Sequence, residues 1–549
     1  MPDATYDAVV IGGGHHGTII ACYLAKAGMK VGVFEKHPNF GGGAISEEAP
    51  APGFRQNSCA HFTRFYGHPS YQEFNLREEG LEYVFPDENE GMIYYDNTSF
   101  IGYSAFRVVD PITGRQEYAD DNVKKTYEQI RRFSKRDAEV YLDLLDKYTK
   151  YWKPAFHRHR FTPPTPWGTP DPLEELLSNP DSGLEPVHQF MTVRQVAYDF
   201  FESPELRTLF MRATPTSSGC FADDVPGLQG IVHYMALTLS FEPVAIAKGG
   251  TQSITDALVS AGKKMGIQYF SGQEVDRVMV EGGEAKGVVL SDGTPVSARL
   301  VVSDLGVPQT VFRMLRDHKF DDKTTHRVRN IHYDRAQILW GNVAVHELPK
   351  YIAEADNPGV GNQPRLYIGP KDPDYYATKY QHEIFMLGFP TQLFLLTAPD
   401  SIWDRTRAPE GKHTILIEDF SAPSRLFSPR EWMRLRDDFV NQALDLWQKL
   451  APNMTRDNVI ATRIYTPYEV EASHPDMLQG GWAEGSMFAS QLTRFRPTPE
   501  FSGYRTPVKN MYICSSNLHS AGGIGRGSSY NCYQIIAKDL GLPQAGHGK

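Results

Sequence analysis

Tyr6-Asp-Ala-Val-Val-Ile11, Gly12-Gly-Gly14-His15-His16-Gly17 and Lys30-Val-Gly-Val-Phe34-Glu35 decide how this chain begins. The first run is short and β-branched, as expected of a parallel strand buried on both faces. Thr18 to Lys26 reads as a helix whose Ile19, Ile20, Tyr23 and Leu24 are available for packing, and Gly28 can end it in a left-handed turn. The run from Lys30 is a second strand, closing at Glu35. GxGxxG therefore falls where a strand gives way to a helix. Gly12 allows the tight turn, Gly14 lets a pyrophosphate approach, and Gly17 lets helix and strand pack. The helix amino terminus, with His15 in its turn, offers free N–H groups and partial positive charge to phosphate. Glu35, eighteen residues beyond Gly17, can accept from both ribose hydroxyls of an adenosine, and a carboxylate there disfavours the 2′-phosphate of NADP.

A second glycine cluster, Asn39-Phe-Gly-Gly42-Gly43-Ala44, follows Glu35 and Lys36, where a plain NAD domain would continue into another strand and helix. With Gly41-Gly-Gly-Ala-Ile-Ser-Glu-Glu48 and Pro52-Gly-Phe-Arg55, the chain resembles the two-dinucleotide-binding-domain flavoproteins and, among them, the phytoene desaturase-like oxidoreductases. Ile130 to Ala138, Lys248 to Leu258, Val275, and Asn510 to Asn531 match the same family further along. The resemblance implies an α/β fold with a Rossmann-like FAD domain and an inserted α+β substrate domain. It places the FAD domain at 1–75, 245–305 and 500–549, and the substrate domain at 76–244 and 306–499. It also implies non-covalent FAD held by Gly12, Gly14, His15, Gly17, Glu35, Lys36, Gly42, Gly43, Val275, Ser516, Gly523 and Ile524. His519 beside the last glycine turn, as a proton donor or acceptor or simply a structural hydrogen-bond partner, and His61 in Cys59-Ala-His61-Phe-Thr-Arg64, are the candidate proton-handling residues. Cys514-Ser-Ser516 departs from the family's usual pattern before that turn.

The activity implied is hydride transfer between a C–H or C=C centre of a hydrophobic small molecule and flavin N5, as in desaturation, saturation or isomerisation. No second strand-linked GxGxxG occurs, so oxygen, a quinone or another acceptor is the expected oxidant rather than a resident NAD(P)H domain. Paired redox cysteines are missing, which excludes disulfide-reductase chemistry. A redox-neutral flavin isomerase or hydratase and an amine oxidase stay open. So does a flavin-free scaffold for lipid or prenylated protein, against which the intact GxGxxG and Glu35 speak.

The 549 residues exceed one compact core, and 41% hydrophobic with 22% charged residues is a globular composition. Fifty-six basic against 66 acidic residues give a net charge of −10, which argues against nucleic acid as a partner. Five dispersed cysteines with no CxxC suit a reducing compartment. No apolar run reaches the ~18 residues of a membrane span. A strand starting by Tyr6 leaves no room for a signal peptide, so a cytoplasmic protein is expected, with peripheral membrane contact left open. No metal is expected: His157 and His159 alternate with Arg158 and Arg160, most simply as a solvated basic strand or loop. Seven prolines within 163–186 mark a loop or lid. Ser217-Ser-Gly-Cys220 lies mid-chain, away from where covalent-flavin amine oxidases carry their cysteine.

Overall fold

The computed structural model describes residues 5–335 and 337–546. Two seven-stranded sheets organise the chain. The first begins with Thr5–Ile11, which pairs in parallel with Val31–Glu35 on one side and Pro295–Ser303 on the other. Gln268–Ser271 extends it beyond Val31–Glu35, and Met511–Ile513 joins in parallel beside Val301 to Ser303. The antiparallel pair Val275–Glu281 and Glu284–Leu290 completes it, joined to Pro295–Ser303 through the turn at Asp292-Gly293.

Period-two alternation gives Thr5–Ile11 and Val31–Glu35 two buried faces. Ala8 and Val10 face a core with Ile19 and Ile20 of the helix His15–Lys26, Leu258 of Gln252–Lys264 and Ile536 of Ser528–Leu540. Val9 and Ile11 face Phe34, Val278, Val288 and Leu290. The continuous apolar runs read from the sequence are thus explained by burial on both sides.

The second sheet runs in the order Val459–Tyr465, Ile338–Val345, His413–Phe420, Leu395–Ala398, Arg365–Gly369, Glu88–Tyr94 and Ser99–Tyr103. Its neighbours are antiparallel except Arg365–Gly369 with Glu88–Tyr94. The helix Pro429–Leu450 packs Trp432, Phe439, Ala443 and Trp447 into the same core. Its start has a capping box: Ser428 and Glu431 each accept from the other's backbone N–H, with Pro429 at the first helical position.

Two helices, Asp120–Arg131 and Lys135–Lys147, lead into this core, the second capped by Ser134 Oγ accepting from Asp137 N at 3.0 Å. The proline-rich stretch carries only short 3₁₀ turns, and Trp167 is 80% exposed there. His157 to Arg160 correct the sequence reading. They form the end of the helix Lys153–Arg160, with His159 1% exposed, rather than a solvated strand or loop. Helical spacing, not alternation, decides which of the four turn inward. Among the described residues no helix is long and apolar enough to cross a membrane.

Candidate active site

The strand Thr5–Ile11 hands over to the helix at His15 through three glycines. Gly12 has φ +93°, a left-handed conformation open to glycine. A Cβ on Gly17 would stand 2.3 Å from the Gly12 carbonyl oxygen, so only glycine lets the helix begin this close to the strand. Gly14 is the N-cap and supplies no capping side chain, which leaves the His15 and His16 backbone N–H groups for an anion. Glu35 is fixed beside this turn: one carboxylate oxygen accepts from Gly13 N at 2.7 Å and the other from His37 N at 2.7 Å. Gly41 N donates to Gly13 O at 2.9 Å, which seats the second glycine cluster against the first.

Three further features meet the turn. His15 is 8% exposed, and burial pushes its pKa down to about 4, opposed by a hydrogen bond to the backbone of Gly523. The amino-terminal turn and the carboxyl-terminal glycine turn are thereby joined. Gly523 has φ +91°, and a Cβ there would meet nothing within 4 Å, so its face is open. Asp304 lies under the turn, its Oδ2 2.6 Å from where a Gly14 Cβ would stand and its carboxyl bonded to the Gly17 backbone N–H. Burial holds Asp304 well above the ordinary carboxylate range, helped by Glu484, Asp476 and Glu35, which favours the neutral acid beside a phosphate site.

The turn opens without interruption into a chamber between the two sheets. Ile338 and Trp340 alternate onto its face from Ile338–Val345, and Glu418 stands opposite Trp340 in the register. Arg365 pairs with Glu90 on the neighbouring strand, Nη1 to Oε1 at 2.9 Å. Phe62, Met477 and Trp482 add apolar wall. Glu418 and Glu484 also line the chamber, and burial raises both carboxyls above the usual glutamate range. Glu418 Oε1 and Glu484 Oε2 are buried without a hydrogen-bond partner.

Around this one cavity the fold gathers Gly12, Gly14, His15, Glu35, Lys36, Gly42, Gly43, His61, Val275, Ser516, Gly523 and Ile524. Gly17 packs behind the turn and does not line the cavity. His519, expected either to handle the proton or to serve as a structural hydrogen-bond partner, does not line this cavity. Its ring turns away from the chamber, with Nε2 2.8 Å from the His159 carbonyl oxygen and the ring edge-on to His159 at 4.8 Å. Burial holds it well below the usual imidazole range, so it is a neutral packing and hydrogen-bonding group. His61 does line the cavity, but both ring nitrogens are engaged: Nε2 with Asp400 Oδ1 at 2.7 Å and Nδ1 with Asn57 Nδ2 at 3.2 Å.

Sequence reasoning missed Asp304, Glu418 and Glu484, and it read Arg160 as solvated. Asp304 directly follows the strand Pro295–Ser303, on the sheet edge from which ligand-binding loops leave such folds, and that signal was available. Nothing local marks Glu418 or Glu484. Cys220 is buried and its Sγ donates to the Met487 carbonyl oxygen at 3.3 Å.

Residues 10–74 match the NAD(P)-binding Rossmann-like domain family. Over 97% of its length the chain is 26% identical to pyridine nucleotide-disulfide oxidoreductase domain-containing protein 2 of Rattus norvegicus, 94% of which is covered. It is 24% identical to a subunit of the limonene dehydrogenase of Castellaniella defragrans, covering 98% of this chain and 95% of that one. It is also 24% identical to the phytoene desaturase of Fusarium fujikuroi, over 99% and 91% of the two chains. A putrescine oxidase variant shares the fold with TM-score 0.61 and 12% identity, covering 98% of this chain and 99% of the other.

Proposed function

We propose that this phytoene desaturase-like oxidoreductase binds FAD non-covalently and moves a hydride between flavin N5 and a C–H or C=C centre of a largely apolar small molecule. One observation carries the reading: the glycine turn at Gly12 to Gly17 and the chamber floored by Trp340 and Glu418 are parts of a single cavity. A dinucleotide laid from the turn toward Gly523 would thus end where an apolar substrate is walled in.

The residues fit that cofactor. The uncapped helix start receives a pyrophosphate, Glu35 stands at the ribose position, and the open face of Gly523 leaves room on the far side. FAD supplies an isoalloxazine ring that accepts or returns a hydride at an activated carbon. The chain orients the substrate, excludes water and handles the accompanying proton. Glu484 and Glu418 suit that last task better than His519, because each lines the chamber, which His519 does not, and each is biased toward the protonated form. A neutral carboxylic acid can deliver a proton in saturation, and the carboxylate left behind can take one in desaturation. His61, held between Asp400 and Asn57, positions the wall beside Phe62.

Reoxidation by oxygen, a quinone or another acceptor completes turnover in this reading. The test is an absorbance spectrum of the purified protein, identification of the released cofactor, and anaerobic screening of isoprenoid-like donors for bleaching of the flavin band. About one FAD per chain and bleaching by such a donor are expected. A protein that neither carries nor takes up flavin would falsify the reading.

A further inference from the structure

The chamber is apolar along much of its wall but not at its inner end. Arg64, Arg160 and Arg526 line that end, around the carboxyl-terminal glycine turn. Arg160 Nη2 donates to the Gly525 carbonyl oxygen, and the backbone of Arg64 and Phe65 lies against Gly525. Arg64 donates Nε to the Pro243 carbonyl oxygen at 3.1 Å and Nη2 to that of Glu242 at 3.5 Å. Among the described residues none of the three guanidiniums has a carboxylate within 4.0 Å, in contrast to Arg365, which has Glu90. Glu242 is the nearby acid, and its side chain is taken by Lys153 Nζ at 2.8 Å and Tyr148 Oη at 2.9 Å. Arg160 Nε and Arg526 Nη1 are buried with no acceptor. His233, on the same wall, is kept neutral by burial and by the surrounding arginines.

Arg64, Arg160 and Arg526 thus converge without an ion-paired carboxylate, Arg526 buried and the other two half-buried, and the already engaged Glu242 acts on Arg160 only from farther off. A buried charge without an ion-pair partner is unfavourable, and like charges at close range add to it. Burial and Arg64 push Arg160 down to about 10, and burial with Arg160 and Arg64 pushes Arg526 down to about 9. Such a cluster becomes favourable when an oxyanion is delivered to it, since a guanidinium pairs with carboxylate or phosphoryl oxygens through two parallel N–H donors.

Resting on the flavin oxidoreductase reading for its chemistry, we infer that Arg64, Arg160 and Arg526 bind the oxyanion head, carboxylate or phosphoryl, of an otherwise apolar substrate. The tail then lies along Phe62, Trp340 and Trp482. The hydrocarbon expectation drawn from the family resemblance is thereby sharpened to an anionic amphiphile. A cationic amine is disfavoured at the same place by the same charges.

The test uses full-length protein as purified and four probes of equal chain length: dodecanoate, dodecyl phosphate, 1-dodecanol and dodecylamine. Thermal midpoint and, where flavin is present, perturbation of its absorbance report binding below the micelle-forming concentration. One or both anions are expected to bind at least about tenfold more tightly than the alcohol, because only they can accept charge-assisted hydrogen bonds from the guanidiniums. Which anion wins distinguishes carboxylate from phosphoryl. Arg526→Met is expected to keep or raise the ligand-free thermal midpoint, because it removes an uncompensated buried charge, while abolishing the rise produced by the anion. Arg64→Gln should weaken that rise less. Equal binding of alcohol and anion, or preferred binding of the amine, overturns the inference on the unmutated protein alone, whether or not any variant folds. An Arg526→Met protein whose flavin spectrum changes while anion binding does not also overturns it, since the arginine then serves the cofactor. Absence of flavin would instead count against the oxidoreductase reading, and the thermal measurement would still decide the anion site.

Discussion

The two ends of the cavity are built from different materials. The nucleotide end is backbone: glycines, free N–H groups at a helix start, and one carboxylate, all within residues 12–43 and supported by Asp304. The chamber end is side chain: Arg64, Arg160, Trp340, Glu418, Glu484 and Arg526, from six separate segments. A backbone site tolerates little change in any residue that must be small, whereas a side-chain site can change its ligand without changing the fold. Substitutions at the two ends should therefore fail differently.

The largest expected effect is at the nucleotide end. Gly17→Val places a branched side chain where even a Cβ would be 2.3 Å from the Gly12 oxygen, and the turn cannot close. Flavin content per folded chain should fall to the background level, measured by absorbance after denaturation. Retention of stoichiometric FAD in that variant would show that the turn is not the cofactor cradle.

Next is the acid sensitivity of the helix that begins at the glycine turn. His15 is neutral in the fold, its pKa lowered from 6.5 to about 4, and His68 is lowered to about 3, both chiefly by burial. For a depressed imidazole the contribution to stability is present above the unfolded value near 6.5. It is lost as pH falls through the folded value. For His15 that is about 3 kcal/mol between pH 6.5 and 4. Denaturant unfolding of flavin-free protein should weaken across that window, and His15→Asn should flatten the dependence. An unchanged slope in the variant would separate His15 from the acid response.

The same contrast explains what could be read from residues alone. Strand, turn, helix, strand and Glu35 sit within 31 consecutive residues, Thr5 to Glu35, so local periodicity and one motif suffice to place them. The carboxyl-terminal turn is legible for a similar reason: Gly523 and Ile524 form a short glycine-rich segment between a buried strand and a helix. The chamber has no such locality. Glu418 is recognisable only once Ile338–Val345 is paired with His413–Phe420, which sets it opposite Trp340. The His157 to Arg160 run misled because alternating His and Arg looks solvated, while helical geometry turns His159 and Arg160 inward. His519 is a different case: its two readings, proton handling or a structural hydrogen bond, could not be separated from sequence, because proximity to the glycine turn says nothing about which way its ring points.

At the chamber end, Glu484→Gln preserves shape and removes the titrating proton. With any donor that bleaches the flavin, the rate of flavin reduction should fall on the order of 10²-fold, the lower scale for a general acid–base group, with FAD content unchanged. Glu418→Gln run in parallel assigns the role between the two carboxyls. If neither variant slows reduction, the proton leaves by another route, and the chamber's acids are structural.

The smallest effect on chemistry is expected at His519. It lies near the last glycine turn, so a direct role would place the active base at the nucleotide end and erase the distinction between the two regions. Its Nε2 is engaged with the His159 carbonyl oxygen at 2.8 Å, and the ring lies outside the cavity wall. His519→Ala should therefore lower stability by about 1–3 kcal/mol, the cost of leaving a buried carbonyl without its donor and a gap beside His159. The rate of flavin reduction in the folded fraction should stay within about threefold of the unmutated protein, far below the 10²-fold scale of a lost general base. A His519→Asn variant that restores the hydrogen bond to His159 should recover part of the lost stability and leave the rate where it was. Slowed reduction in both variants at undiminished stability would reverse the assignment, requiring the ring to reach the chamber in the working enzyme and returning proton transfer to the carboxyl-terminal turn.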